Sequence, residues 1–227
     1  GAGAGGTVVL DVDELSGGGL IDVSGGDNPR YNSRYAGVGG GGRVAITVDL
    51  LTGFDPETQV VLAGGLRSRD GTANVQAGAG TLFVKSPGDP YGHLTVHQGP
   101  VYPTIPAGLT PLPTVGTGTV GVVEVDTDAP SNLWLEDVDP ASLFAHGVTG
   151  AFLRVAGVDY RILDHSEDLR RILVEGAAGV VTGGEAYEGV YKFDTVTLRG
   201  RARLSFGDLD EVGIYDLDPE SEFTTLP

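Results

Sequence analysis

The sequence predicts an all-β protein: a glycine-rich first part built as a β-solenoid, or parallel β-helix, and a small β-rich module that follows it or is inserted into it. Three observations carry this prediction. Glycine supplies 38 of 227 residues and gathers into clusters such as Gly39-Gly40-Gly41-Gly42. The major clusters run directly into segments that alternate apolar and polar residues, the period of a strand. Those segments also recur, since Val8, Val44 and Leu82 begin comparable runs at spacings of 36 and 38 residues. A solenoid needs this pattern, because each coil stacks its strands on the previous one and buries small apolar residues between sharp corners. The alternative is a β-sandwich with glycine-rich hairpins.

Taken in order, Thr7-Val8-Val9-Leu10-Asp11-Val12 is the first strand, and Arg43-Val44-Ala45-Ile46-Thr47-Val48 and Leu82-Phe83-Val84-Lys85 are its counterparts. A shorter series interleaves with it: Leu20-Ile21-Asp22-Val23-Ser24-Gly25-Gly26, then Val60-Val61-Leu62-Ala63-Gly64-Gly65, then His93-Leu94-Thr95-Val96-His97. The glycines are expected at corners, where the chain turns through positive φ or where backbones approach too closely for a Cβ. Gly37, Gly39 and Gly42, like Gly1, Gly3 and Gly6, match the G-x-G-x-x-G spacing, but strands and not helices follow them. A phosphate-binding turn needs a helix N-terminus, so both matches are discounted.

Residues 87–113 hold seven of the thirteen prolines, and the stretch 99–113 is expected to form an extended excursion or linker. The composition then changes: residues 1–120 carry 26 glycines and 10 acidic residues, and 121–227 carry 12 and 21. This places the predicted boundary between a solenoid segment at 1–125 and an acidic β-rich module at 126–227, with the chain rejoining the solenoid near 190. Within the module, Asp139 to Gly147 has the cap residues of a short helix, and Ser166-Glu167-Asp168-Leu169 is the alternative start of another. Phe152–Val155, Tyr160–Leu163, Arg171–Val174, Tyr191–Leu198 and Ala202–Phe206 read as strands.

A formal charge of −17 with only 14 basic residues excludes nucleic acid and anionic membrane as favoured partners. Cations, neutral glycans, other copies of the chain or neighbouring modules fit better. The absence of cysteine removes disulfides and thiolate chemistry. Methionine is also absent, even at position 1, which points to a mature segment or a piece of a longer chain. No apolar run approaches the roughly 18 residues of a membrane span.

Gly39-Gly40-Gly41-Gly42-Arg43-Val44-Ala45-Ile46, Gly78-Ala79-Gly80-Thr81-Leu82-Phe83-Val84-Lys85 and Gly92-His93-Leu94-Thr95-Val96 together resemble the glycine-rich repeat modules of very large secreted bacterial surface proteins. The resemblance covers about the first half. It implies an extracellular or cell-surface location and a β-helical stalk, adhesin or filament building block, and it transfers no catalytic residue.

Residues suited to chemistry are few in kind. Acidic D-x-D pairs supply the hard oxygen ligands that Ca²⁺ prefers, and Asp126, Asp128, Asp208, Asp210, Asp216 and Asp218 are the expected calcium ligands. His93 and His97 share a strand face, with His146 and His165 distant in sequence as third ligands, and are read as a solvent-facing polar stripe. Trp134, between leucines, is expected in the core. The competing functions are a carbohydrate-active β-helix enzyme using Asp11, Asp13 and Arg43, and a calcium-dependent glycan-binding module. The sequence holds no G-x-S-x-G, H-E-x-x-H or P-loop motif.

Overall fold

The computed structural model describes residues 2–29, 37–69, 72–99, 108–112, 116–139, 143–144, 148–206 and 220–223. The protein is all-β, with one helical turn among the described residues, and divides into two units. A glycine-rich unit runs to Pro111 and resumes over Phe193–Ser205; between them Leu112–Lys192 form a second unit.

The elements of the first unit are β1 (Thr7–Ser16), β2 (Ile21–Asp22), β3 (Asn28–Pro29), β4 (Arg43–Thr52), α1 (Pro56–Gln59), β5 (Val60–Val61), β6 (Leu66–Arg69), β7 (Thr72–Gln76), β8 (Gly80–Lys85), β9 (His93–His97) and β10 (Leu109–Leu112). The second unit contributes β11 (Thr117–Val125), β12 (Leu133–Asp137), β13 (Phe152–Val155), β14 (Val158–His165), β15 (Arg171–Val174) and β16 (Ala186–Val190). The chain then returns as β17 (Thr195–Arg199), β18 (Arg203–Phe206) and β19 (Glu220–Phe223).

The main sheet has the order β1-β4-β8-β9-β17-β19. β1, β4 and β8 are parallel, with Val8 opposite Val44 and Val44 opposite Leu82. The residues that begin the three similar runs are therefore direct register partners. β2 pairs in parallel with β5, Ile21 opposite Val60, and β3 with β6, Asn28 opposite Arg67. The inner face of β4 buries Val44, Ile46 and Val48 against Val23, Phe54, Val60, Leu62 and Leu82.

β9, expected to continue the shorter series, instead pairs antiparallel with β8 and ends the run of parallel neighbours. The cause is local: in Ser86-Pro87-Gly88-Asp89 the Asp89 N–H donates to Ser86 O at 3.1 Å, and Gly88 has φ +98°. Proline second and a positive-φ glycine third define a type II turn, which reverses the chain.

Of the two reasons expected for the glycine clusters, close backbone approach holds and positive φ does not at Gly5, Gly25, Gly39, Gly41 and Gly42. Segments 2–6, 23–26, 37–42, 62–65 and 76–80 lie side by side and exchange backbone hydrogen bonds. Segment 37–42 alone reaches four neighbours: Gly40 O accepts from Gly5 N–H, Gly42 N–H donates to Val23 O, Gly39 O accepts from Gly65 N–H, and Gly41 N–H donates to Gly78 O. A β-strand bonds in one plane and has at most two ladder neighbours. Here the donors directed at segment 23–26 recur at Gly39 and Gly42, three residues apart. That is the period of an extended three-residue-per-turn helix, whose peptide groups all point sideways. Glycine is required by crowding, since a Cβ on Gly39 would lie 1.9 Å from Gly3 O and one on Gly41 would lie 2.0 Å from Leu62 O. Neither residue has φ in the left-handed region.

The second unit is a closed barrel of order β11-β12-β15-β14-β13-β16. Leu133, Leu135, Leu153, Val155, Ile162, Ile172 and Val174 point inward and are almost fully buried. Where the sequence suggested a small antiparallel sheet, β11 and β16 close it by pairing with each other, Gly118 opposite Tyr187. The sequence boundary at 125/126 coincides with the end of β11, whose Gly118 and Gly121 resemble the glycine-rich part in composition, whereas the division by contacts falls at Pro111.

Most of the expected helix at 139–147 lies outside the described residues; Leu143 and Phe144 within it are irregular, and Phe144 is buried with its ring 6.1 Å from that of Tyr187. The helix considered at Ser166 is a turn linking β14 to β15, in which the N–H of Leu169, at φ 58°, donates to Ser166 O. Of the strand expected over Tyr191–Leu198, residues 191–194 are irregular and β17 begins at Thr195.

Candidate functional site

Two features of the glycine-rich unit bear on function. The first is the edge formed by β1, which has β4 on one side and no other strand beside it among the described residues. Val8 and Leu10 turn toward the core of the unit. Val9 is 71% exposed, and Asp11, Asp13 and Glu14 are exposed as well. An edge strand of ten residues presents unpaired peptide groups, and carboxylates along it are a common way to restrain indiscriminate pairing.

The second feature is a cluster of Asp89, His93 and Asp194, whose ligand atoms all lie within 4.8 Å of one another. Asp89 belongs to the β8–β9 turn, His93 opens β9, and Asp194 immediately precedes β17, which pairs in parallel with β9 so that His93 faces Thr195. His93 Nε2 is 3.5 Å from Asp89 Oδ1, and His93 Nδ1 is 2.8 Å from Thr195 Oγ1. Asp194 Oδ2 accepts the N–H groups of Tyr91 at 3.0 Å and Gly92 at 2.8 Å, and Asp89 Oδ2 accepts that of Ser86 at 3.0 Å. Gly92 has φ +81°, and a Cβ there would meet the Phe83 ring at 2.6 Å, so the loop fits only glycine at that point.

His93 and His97 do share a face of β9 but serve different surroundings. Glu57 of α1 accepts a hydrogen bond from Thr95 Oγ1 at 3.0 Å and pairs with Arg199 at 2.8 Å. Burial, followed by the Arg199 charge, lowers the pKa of His97 below the usual histidine value, and Glu57 opposes this.

Of the expected calcium ligands, Asp126 and Asp128 are described. Asp126 and Asp128 occupy the exposed β11–β12 turn, where Asp126 Oδ1 accepts the Asp128 N–H at 3.4 Å, and no third acidic or histidine ligand joins them among the described residues. Asp208, Asp210, Asp216 and Asp218 lie outside the described residues. The residues considered for an enzyme are separated too: Arg43 is opposite Thr7 and Asp11 is opposite Thr47, four positions apart, or roughly 13 Å along a strand. A groove of about 250 Å³ crosses the glycine segments, walled by Gly5, Gly41, Gly80 and their neighbours, and no carboxylate lines it.

On the barrel, Trp134 faces outward between the buried Leu133 and Leu135, contrary to the core position expected for it. The guanidinium of Arg171 lies 6.0 Å from its ring centre and pairs with Glu124 at 2.7 Å and Glu136 at 3.5 Å. Arg154 binds Asp159 through Nε at 2.7 Å and Nη2 at 3.2 Å, and Lys192 also pairs with Asp159. Tyr187 OH donates to Asp137 Oδ2 at 2.7 Å; burial and the adjacent carboxylate raise the tyrosine pKa. The arginines and Lys192 are thus charge-paired with carboxylates around the barrel, whereas Tyr187 belongs to its buried core.

No helix among the described residues is long and apolar enough to cross a membrane. No family model, curated protein or solved structure matches the chain.

Proposed function

We propose that this chain is a structural and adhesive segment of an exported bacterial surface protein, in which glycine-rich coils stack as a β-solenoid and the barrel is carried as an inserted module. The observation that carries this reading is the open edge of β1, beside the parallel run β1-β4-β8 held in register at a near-constant repeat. Such an edge accepts one further parallel strand of the same pattern, supplied by another copy or by a neighbouring module. The glycine lattice favours a mechanical role, because its cohesion comes from backbone hydrogen bonds shared across several neighbours, not from a pocket built around a ligand. The carboxylate-free groove and the separation of Asp11 from Arg43 weigh against the carbohydrate-active enzyme.

Sedimentation at rising concentration and ionic strength tests the reading. Association is expected, strengthened by salt because screening relaxes repulsion among the edge carboxylates. The double substitution Val9→Glu and Val12→Glu should abolish it while leaving the far-UV spectrum unchanged. A wild-type chain that stays monomeric under all these conditions would refute the edge as the working surface.

A further inference from the structure

We propose that Asp89, His93 and Asp194 form a mononuclear site for a divalent transition metal of the Zn²⁺ kind, which fastens the returning strand β17 to the β8–β9 turn. This inference stands apart from the stalk reading and from the calcium ligands expected in the sequence.

The geometry suits such an ion. Two ligands each about 2.0–2.1 Å from a tetrahedral centre are about 3.3 Å apart. His93 Nε2 and Asp89 Oδ1 are 3.5 Å apart, and the third ligand lies within the same 4.8 Å cluster. Each ligand is also oriented from behind. Thr195 Oγ1 engages His93 Nδ1, the Ser86 amide engages Asp89 Oδ2, and the Tyr91 and Gly92 amides engage Asp194 Oδ2. The leftover atoms are His93 Nε2 and one oxygen of each carboxylate. Metal sites are characteristically built this way, with outer hydrogen bonds fixing the tautomer and the ring orientation.

The donor set identifies the class of ion. An imidazole nitrogen with two carboxylates suits Zn²⁺ and its neighbours better than Ca²⁺, which gathers six to eight oxygens. Three protein ligands leave a fourth position for water. The His93 and Asp89 side chains are 41% and 29% exposed, so an ion can reach them from solvent. The position gives the site a purpose: Asp89 and His93 precede the barrel segment, Asp194 follows it, and the Tyr91–Asp194 contact already spans 103 residues of sequence. An ion bound across that junction stabilises the closed pairing of β9 with β17 in proportion to its occupancy.

The test is titration of the full chain, free of affinity-tag histidines, with Zn²⁺ by calorimetry and with Co²⁺ by visible absorption. One equivalent of Zn²⁺ should bind, the Co²⁺ form should show the intense d–d bands of a low-coordinate site, and Zn²⁺ should raise the melting temperature. His93→Gln and Asp89→Asn should each weaken Zn²⁺ binding by about 100-fold or more, and Thr195→Val by about 10-fold with the metal-free melting temperature unchanged. His97→Gln should change nothing. The proposal is overturned if the wild type binds no Zn²⁺, if binding survives both ligand substitutions, or if Ca²⁺ binds there more tightly than Zn²⁺. Should His93→Gln fail to fold, Asp89→Asn and Thr195→Val decide the question.

Discussion

The glycine-rich unit and the barrel solve the same problem in opposite ways. In the barrel each strand has two neighbours, and stability comes from side chains such as Leu135, Leu153 and Ile172 filling a closed interior. In the glycine segments several neighbours come too near for side chains at positions such as Gly39 and Gly41, so cohesion there rests largely on peptide groups. The two therefore differ in tolerance. A barrel core absorbs a modest change in volume by shifting rotamers. Where backbone lies directly against backbone, as at Gly39 and Gly41, nothing can shift and a methyl group would overlap a carbonyl oxygen.

The largest effect that sharpens this contrast lies within one run of four glycines. Gly39→Ala places its Cβ against a carbonyl at 1.9 Å and is expected to destabilise the glycine-rich unit by on the order of 3 kcal/mol or more. Gly40→Ala, whose Cβ would find its nearest atom at 3.8 Å, should change stability by no more than about 1 kcal/mol. Melting curves, with amide exchange of the peptides covering 37–42, separate the two. Equal effects would mean that crowding is not what selects glycine there.

A smaller effect tests whether the barrel also draws on its surface charges. The hydrogen bond from Arg154, reinforced by Lys192 and opposed by burial, holds the Asp159 carboxyl below the usual carboxylate range. A depressed folded-state pKa contributes stability that is complete above the unfolded value of about 3.9 and drains away as pH falls through the folded value. Asp159→Asn should therefore cost on the order of 1 kcal/mol near neutrality and flatten the loss of barrel stability below about pH 4. Emission from Trp134, the one tryptophan in the chain and a barrel residue, reports that transition.

The smallest effect is a gain. Val155 pairs with Val158 across a two-residue hairpin in which Ala156 and Gly157 have φ of 50° and 80°. Both central residues of such a turn need positive φ, which asparagine tolerates better than alanine, so Ala156→Asn should stabilise the barrel by about 0.5–1 kcal/mol. A loss instead would show that the turn is held by its surroundings and not by local preference.

Strands were readable wherever apolar and polar residues alternate without interruption, as in His93–His97, Phe152–Val155 and Arg171–Val174. β11 and β16, which close the barrel, were not, because glycines break their alternation. Gly118 is fixed by its surroundings, since a Cβ there would fall 2.0 Å from Asp137 Oδ2, in the space where Asp137 and Tyr187 meet. Ala156-Gly157 carries only the glycine of the usual asparagine-glycine turn signal. The Asp89–His93–Asp194 cluster is half legible: strand alternation puts His93 on a polar face, but nothing local links it to an aspartate beyond the intervening barrel.

The sequence by itself determined that the chain is all-β, acidic and glycine-clustered, and that Val8, Val44 and Leu82 are equivalent, because alternation and spacing are properties of the chain alone. Only the tertiary structure decided which glycines are crowded by backbone and against which partners, where the barrel closes and which carboxylates meet a histidine. Each of those depends on how closely distant backbones approach, and that distance is set when the segments pack together.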